Sequence, residues 1–332
     1  MLSHLVRKPG FPTRGYGVKL HTRNKLGLMI LAYFLPLTAP LLAQDTPVGP
    51  EGTQVATDET SAAATNSDAL RKAAQNPVAS LISVPVQNNS NFNVGPDNRT
   101  QDILNIQPVI PMRLSNNWNL IIRAITPIIY QPTMSQPINQ GASGLGDMNP
   151  SFFLSPAKPG KIIWGAGPTV VLPTATNPIL GQGKWSAGPT FVVLAQPGKW
   201  TVGALVNNVW SFSGQSSRPA VNQMLFQYFI NYNLQKGWYI TWQPTLTANW
   251  KAMNSGRWVV PYGGGIGRIM KIGFQPVNIT AQFYGNAVYP PGTSPWSFRF
   301  QIAFLFPKLT KEQEKMIMQQ KLKQLEQEPS QK

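Results

Sequence analysis

The sequence contains no cysteine, which excludes disulfide bridges and thiolate metal sites. Its two histidines, His4 and His21, lie near the N-terminus, so a chain that loses this region has neither Cys nor His. Most nucleophile–base pairs and most zinc sites need one of these residue types. The sequence therefore predicts a protein that is not an enzyme and that binds no metal and no cofactor.

Charged residues are also scarce, at 12% of the chain, against roughly 25% in soluble domains. Acidic residues are the rarest part: between 79 and 307 the only ones are Asp97, Asp102 and Asp147, against 14 Lys and Arg. These basic residues are scattered along the chain, whereas nucleic-acid-binding proteins cluster them on one face or helix. We predict no nucleic-acid partner.

Long apolar runs are missing after residue 43, where no stretch approaches the roughly 20 apolar residues of a membrane helix. Residues 1–43 differ, because six basic residues precede the apolar run 26–42, which Pro36 and Pro40 interrupt. A basic region followed by an apolar region and a small residue predicts a secretory signal peptide with cleavage after Ala43. A membrane anchor is the alternative.

Two polar segments flank the central region. Residues 44–78 are predicted to be a flexible periplasmic linker or a partial plug: 44–67 are small, polar and acidic, and 68–76 fit two helical turns, at a barrel mouth or on the surface. Residues 308–332 have helical composition, with a capping box at Thr310 and Gln313. They predict a short, charged C-terminal helix in the periplasm.

Glycine, proline and aromatic residues are abundant, with 28 Gly, 31 Pro, 10 Trp, 9 Tyr and 15 Phe. Residues 79–307 divide into twelve segments of strand length, many of which alternate between apolar and polar residues. In the last segment Trp296, Phe298 and Phe300 alternate with Ser297, Arg299 and Gln301. This pattern predicts an all-β fold, a transmembrane antiparallel up-and-down β-barrel of about 12 strands (10–14). Prolines inside the strands predict bulges or kinks.

A soluble sandwich would also alternate, but two features favour the barrel. Aromatic residues lie near strand ends, as in the girdles at membrane interfaces. Short connections such as 115–117 and 196–199 alternate with longer ones such as 131–147 and 174–184. Short periplasmic turns and long outer loops give this pattern, and an even strand number places both termini in the periplasm. The expected partners are outer-membrane lipid, the barrel-assembly machinery and a small solute, and the expected state is a monomer.

Alternation also assigns residues to the lumen. The predicted lumen-lining residues, which would set pore selectivity, are Arg113, Arg123, Arg299, Asn105, Gln107, Gln227, Asn231, Asn278, Gln282 and Gln301. Amides and arginines with almost no acids would favour anions or neutral polar solutes. We predict an outer-membrane channel or transporter for small solutes that works by passive diffusion. The alternative is a closed structural or partner-binding barrel without transport.

Glycine-rich stretches do not indicate a nucleotide site. The segment 262–270, YGGGIGRIM, lacks the spacing of a dinucleotide-binding loop, and GQGK (181–184) is followed by Trp185, where a phosphate-binding loop has Ser or Thr. We interpret these glycines as close-packing or loop positions.

The wording of several segments resembles a widespread family of bacterial outer-membrane proteins. They include LNIQPVIPMRLSNNWNLIIRAITPII, GLGDMNPSFFLSPAKPGKIIWGAGPTVVLPTAT and FINYNLQKGWYITWQPTLTANW, and the resemblance covers about residues 74–308. Members are labelled transporters or are linked to the meta-cleavage (MetA) pathway of phenol degradation, and some carry the name neuromedin U. The resemblance implies an outer-membrane barrel and uptake of small, aromatic molecules. It carries over no catalytic or binding residues.

Overall fold

The computed structural model describes residues 68–133 and 141–307. The predicted signal peptide, the first part of the predicted linker and the predicted C-terminal helix lie outside the described residues, so these three predictions stay predictions. Among the described residues, no helix is long and apolar enough to cross a membrane.

The described chain is built almost entirely of β-strands. In chain order they are β1 (Ile82–Val94), β2 (Arg99–Ile106), β3 (Val109–Arg113), β4 (Trp118–Gln131), β5 (Ala142–Leu145), β6 (Asn149–Pro156), β7 (Ile162–Val171), β8 (Lys184–Ala195), β9 (Trp200–Gly214), β10 (Asn222–Asn233), β11 (Trp238–Trp242), β12 (Thr245–Asn249), β13 (Trp258–Ile272), β14 (Gln275–Val288) and β15 (Trp296–Phe306). Two short helices are α1 (residues 68–74) and α2 (Asn254–Arg257).

These segments form twelve wall strands, because β2 with β3, β5 with β6, and β11 with β12 are each one strand with a short interruption. Each wall strand pairs antiparallel with the next, and β15 pairs back onto β1 from Ile82↔Phe306 to Phe92↔Trp296. The sheet is therefore a closed antiparallel barrel of twelve strands, as predicted. Closure leaves no strand edge with unpaired backbone groups. Inside lipid, every backbone N–H and C=O group needs a hydrogen-bond partner within the protein.

The two ends of the barrel differ in their connections. One end, called here the turn end, has the short connections 114–117, 157–161, 196–199, 234–237 and 273–274. The opposite end, called the loop end, has the longer connections 132–141, 172–183, 215–221, 250–257 and 289–295, together with the short turn 95–98. The predicted alternation is present, except at 95–98.

The outward face is apolar and aromatic. Phe298, Phe300, Phe304 and Phe306 of β15 are between 38% and 45% exposed, whereas Leu305 is 1% exposed. Alternate residues thus face two environments, and the outward set has the composition of a lipid-contacting surface.

One group of polar residues interrupts that surface. Asn88 and Ser90 pair with the outward residues Phe300 and Phe298, and Asp102 pairs with Ser90, so all three polar side chains face outward. The Ser90 hydroxyl donates to Asp102 Oδ1 at 2.6 Å. A carboxylate on the lipid side is costly, and this hydrogen bond offsets part of that cost.

Prolines disturb the ladder less than the sequence predicted. The wall strands are interrupted at Gln107–Pro108 and Gln243–Pro244, but Pro168 and Pro189 face each other inside the continuous β7–β8 ladder. The predicted bulge is absent at this pair, where the register is continuous. In an antiparallel ladder only alternate residue pairs exchange hydrogen bonds, so a facing proline pair can be accommodated.

Residues 68–81, called here the N-terminal segment, lie inside the barrel at the turn end. Val78, 5% exposed, packs in a cluster of inward residues with Ile121, Phe153, Val192, Leu194, Leu205 and Phe229. Ala79 and Leu81 pack in a second cluster with Tyr239, Ile269, Ala303 and Leu305, against Leu70, Ala73 and Ala74 of α1. Burying a side chain such as Val or Leu stabilises by roughly 1.5–3 kcal/mol. The turn end therefore has a filled, apolar interior.

Candidate functional site

A polar layer lies on the inner wall directly beyond the apolar clusters. On β4, Ile121 belongs to the first cluster, and Arg123 follows two residues later on the same face. On β15, Leu305 and Ala303 belong to the second cluster, and Gln301 and Arg299 follow on that face. Because alternate residues of a strand face the same side, the inward face of each strand changes from apolar side chains to amide and guanidinium groups along its length.

Arg123 is held by a neighbouring wall strand. Its Nη2 donates to Oε1 of Gln107 at 2.6 Å, and Gln107 is 5% exposed. Gln107 occupies the interruption between β2 and β3, which Pro108 creates. The hydrogen bond fixes the arginine against the wall through a neutral partner, so its positive charge is not neutralised.

Arg299 reaches across the interior. Its Nε donates to Oδ1 of Asn89 at 2.9 Å, and its Nη1 donates at 3.1 Å to the backbone oxygen of Gln243. That oxygen lies in the interruption between β11 and β12, three wall strands away from β15. The guanidinium also lies over the ring of Tyr284, 4.9 Å from the centroid. All these partners are neutral.

Further hydrogen bonds extend the layer. The Tyr284 hydroxyl donates to Oε1 of Gln282 at 3.0 Å, and Nε2 of Gln282 donates to Oγ1 of Thr241 at 3.4 Å. Nε2 of Gln243 donates to Oδ1 of Asn231 at 3.2 Å, and Asn231 is fully buried. The layer is therefore a network of hydrogen-bonded amides, with two arginines attached to it.

The carboxylates of the described chain lie elsewhere. Asp68 pairs with Arg71, Asp97 lies in the 95–98 turn, Asp102 faces outward, and Asp147 holds a loop at the loop end. Arg123 and Arg299 are close enough to interact electrostatically with each other, and no acidic side chain among the described residues pairs with either one. Both are half-buried. The potential of the layer is therefore positive.

The other predicted lumen residues lie on the same inward face. Asn105 and Gln301 are cross-strand partners of Gln87, and Gln227 is a partner of the buried Leu205. Asn278 lies nearer the turn end, where it accepts a hydrogen bond of 2.7 Å from the Tyr239 hydroxyl. Cross-strand partners point to the same side of a sheet, so these four side chains face inward.

Arg113 does not join this group. It ends β3 at the turn end, is exposed, and donates to the Ser115 backbone oxygen at 3.2 Å and to Asn116 Oδ1 at 3.1 Å. The period of two predicts that the Arg113 side chain faces inward, as it does. It could not show that Arg113 lies at the edge of the barrel, where β3 ends. Sequence reasoning also missed Asn89, Gln243 and Tyr284, the partners of Arg299. Asn89 and Gln243 could have been found by extending the period of two through β1 and across Pro244.

The N-terminal segment is tied to the wall by polar contacts as well. Nε2 of Gln75 donates to Oδ1 of Asn233 at 2.8 Å, and the Thr201 hydroxyl donates to Oε1 of Gln75 at 2.8 Å. Gln75 and Asn233 are 8% and 3% exposed. A buried amide with both ends satisfied fixes the segment in one position.

At the loop end, the connection 172–183 is folded against the inner wall. Asp147 accepts hydrogen bonds from the backbone N–H groups of Ala175 (3.1 Å) and Gln182 (2.6 Å). Nε2 of Gln182 donates to Oε1 of the inward residue Gln223 at 2.8 Å, and Arg218 donates to the backbone oxygens of Gln182 and Gly181. A cavity of about 490 Å³ lies beside these residues. The loop thus narrows the mouth of the barrel.

No protein-family model and no curated protein matches the chain. Among solved structures, an outer membrane channel from Pseudomonas putida F1 is similar, with a TM-score of 0.51 and 15% identity over 70% of this chain and 97% of that one. The chain has the fold of an outer-membrane β-barrel. A porin is similar with a TM-score of 0.33 and 9% identity, over 68% of this chain and 99% of its own. The outer membrane phospholipase of Salmonella typhi has a TM-score of 0.38 and 13% identity, over 68% and 90% of the two chains.

These comparisons correct one prediction. The sequence argument excluded an enzyme because histidine is absent from the region after residue 21. That exclusion is wrong, because barrels of similar fold include outer membrane phospholipases, which are enzymes. The fold alone assigns neither catalysis nor conduction to this chain.

Proposed function

We propose that the chain is an outer-membrane channel for small solutes and that its lumen favours anions over cations. The observation that carries this proposal is the pair Arg123 and Arg299. Both face the interior and both are held by neutral groups, at 2.6 Å from Gln107 and 2.9 Å from Asn89. A pore wall with fixed positive charge and no facing carboxylate attracts anions and repels cations.

The network around the arginines fits a channel better than a filled core. Arginines that only stabilise a closed interior would be expected to pair with carboxylates, because an unpaired buried charge is costly. Here the acidic residues that the structure describes lie at the loop end, on the outer face or on α1. An incoming anion would supply the missing counter-charge, and the neutral partners hold both guanidinium groups in place for it.

Passive diffusion, termini on the periplasmic side and a monomeric state complete the proposal. The even number of wall strands places the N-terminal segment and the end of β15 at the same end of the barrel. In outer-membrane barrels short turns lie on the periplasmic side, so the turn end is assigned to the periplasm. Solutes would enter at the loop end, past the narrowing by residues 172–183, and meet the arginines next.

The test is ion selectivity in planar bilayers. The double variant Arg123→Gln and Arg299→Gln is expected to lose the preference of the channel for chloride over potassium, measured as the reversal potential in a salt gradient. Lys251→Gln is the matched control, because Lys251 is an exposed cation in the 250–257 connection. An unchanged reversal potential in the double variant, or an equal change in the control, contradicts the proposal.

A second candidate is a closed barrel without transport. It is favoured by the apolar packing of Val78 and Leu81 at the turn end, because this packing fills the interior there. Wild-type protein that migrates as a folded, heat-modifiable barrel on gels but shows no conductance under any applied voltage would support the closed barrel. Steady conductance would reject it.

A further inference from the structure

The net positive charge of the described barrel is larger at the turn end than at the loop end. Every short connection there contains or adjoins a basic residue: Arg113, Lys158, Lys161, Lys199, Lys236 and Lys271. All six are exposed, and none of these connections contains an acidic residue. The loop end differs, because Asp97 and Asp147 lie there among its basic residues. The barrel therefore has a charge asymmetry along its axis.

Outward apolar side chains lie directly beside these basic residues. Trp200 follows Lys199 and Trp238 follows Lys236 by two positions, with 43% and 40% of their surfaces exposed. Ile162 follows Lys161 and is 62% exposed. Trp residues on an outer barrel wall mark the level where lipid chains meet headgroups. The six basic residues of the short connections, called here the basic rim, consequently lie at the level of the lipid headgroups.

One arginine belongs to the outer wall itself. Arg268 of β13 is the cross-strand partner of Trp238, so it faces outward, and its guanidinium lies over the indole ring, 5.1 Å from the centroid. Its Nε is buried and has no hydrogen-bond partner among the described residues. The ion pairs of the described chain are Arg71–Asp68 and Arg99–Asp97, so no carboxylate neutralises Arg268.

We propose that the turn end binds the phosphate headgroups of anionic phospholipids, and that Arg268 on Trp238 is its most defined contact. A guanidinium that lies over an aromatic ring can still donate hydrogen bonds from its Nη groups to a phosphate. Lys236 lies next to the same site, in the turn 234–237 that precedes Trp238. The basic residues of the other short connections lie at the same end of the barrel and extend the positive surface around it. The surface fits an anionic phospholipid because exposed lysines and outward aromatic residues alternate along it.

A segment of the chain itself is the main alternative to a lipid as the group that binds to the turn end. Residues 44–67 contain Asp45, Glu51, Asp58 and Glu59 and no basic residue, so this segment also has the complementary charge. We favour the lipid because Arg268 and Trp238 are on the outer wall, where the apolar neighbour Ile266 is 53% exposed. A polar segment gains little there, whereas a phospholipid matches both the charge and the apolar surface.

The test is native mass spectrometry of the purified full chain in an uncharged detergent, with equal amounts of phosphatidylglycerol and phosphatidylcholine added. Wild-type protein is expected to retain mainly phosphatidylglycerol. Each Lys or Arg near an anionic lipid contributes about fivefold to its binding. Arg268→Gln is therefore expected to reduce retention several-fold, and the variant with Lys158, Lys199 and Lys236 changed to Gln is expected to reduce it further.

The matched control changes Lys184 and Lys251 to Gln, because these cations lie at the loop end. It should leave retention unchanged, and heat-modifiable gel migration confirms that each variant is folded. Because a variant could fail to fold, wild-type retention is also measured against salt, where a decrease is expected. Equal retention of both lipids by wild-type protein, or an equal loss in the control, overturns the proposal. Phosphatidylglycerol retention that appears only after deletion of residues 44–67 also overturns it, since the acidic segment then occupies the rim.

Discussion

Nε2 of Gln75 donates a 2.8 Å hydrogen bond to Oδ1 of Asn233, 158 residues further along the chain. The bond ties the N-terminal segment to the interior of the barrel at the end where Val78 and Leu81 are also buried. The segment must move, or leave a passage beside it, if solutes are to cross the turn end. For the proposed channel, the position of residues 68–81 would therefore decide whether anions that reach the polar layer also cross the turn end.

A cysteine pair tests that control. Because the native chain has no cysteine, Gln75→Cys with Asn233→Cys gives the only thiols present. If the segment moves during conduction, oxidation to a disulfide is expected to lower single-channel current, and a reducing agent should restore it. Each single cysteine variant serves as a control and should not respond to oxidation. Unchanged current with the disulfide formed would show that solutes pass beside the segment.

Asp147 is expected to hold the loop 172–183 at the barrel mouth. It accepts hydrogen bonds from the N–H groups of Ala175 and Gln182, and Asp147→Ala leaves both without an acceptor, at a cost of about 1–3 kcal/mol each. We expect faster proteolytic cleavage within 172–183 and larger current fluctuations, with the barrel still folded. Asp97→Ala is the matched control, because Asp97 lies in the separate 95–98 turn. Cleavage at wild-type rate in Asp147→Ala would contradict this role.

Gly265 is expected to be required for strand pairing. A Cβ atom there would collide with the backbone oxygen of Ala281 on β14, whereas a Cβ at Gly160 meets nothing within 4 Å. Overpacking a tight site costs about 1–3 kcal/mol. Gly265→Ala should therefore lower the temperature at which the barrel loses its folded gel migration, and Gly160→Ala should not. Equal unfolding temperatures for both variants would show that the wall relaxes at Gly265.

The wall of the barrel could be predicted because its physical cause is local. A strand whose two faces meet lipid and the barrel interior has a period of two, which Phe298, Arg299, Phe300 and Gln301 display in sequence. Gly263 and Gly265 of β13 lie against β14, and Gly264 and Gly267 lie against β11, which agrees with the interpretation of these glycines as close-packing positions. Strand number and antiparallel pairing followed from the same pattern.

Other features depend on contacts that no local pattern encodes. Gln75 meets Asn233 only after closure of the barrel, so the sequence left open whether 68–78 is a linker or a plug. Arg299 donates a hydrogen bond to the backbone oxygen of Gln243. A backbone oxygen that is available as an acceptor cannot be recognised from the sequence, except through the nearby Pro244, which interrupts the strand. Asp102 breaks the alternation, because it is an acidic residue on the outward, apolar face. The hydrogen bond that the Ser90 hydroxyl donates to its carboxylate offsets part of the cost of that position.

The most direct test of the central claim is the reversal potential of the wild-type channel in a planar bilayer with a potassium chloride gradient. Lumen-facing Arg123 and Arg299, without a described carboxylate beside them, predict a reversal potential displaced toward the equilibrium potential of chloride. Displacement toward the equilibrium potential of potassium would contradict the account, because a cation-selective pore cannot be lined by two unpaired arginines at its polar layer.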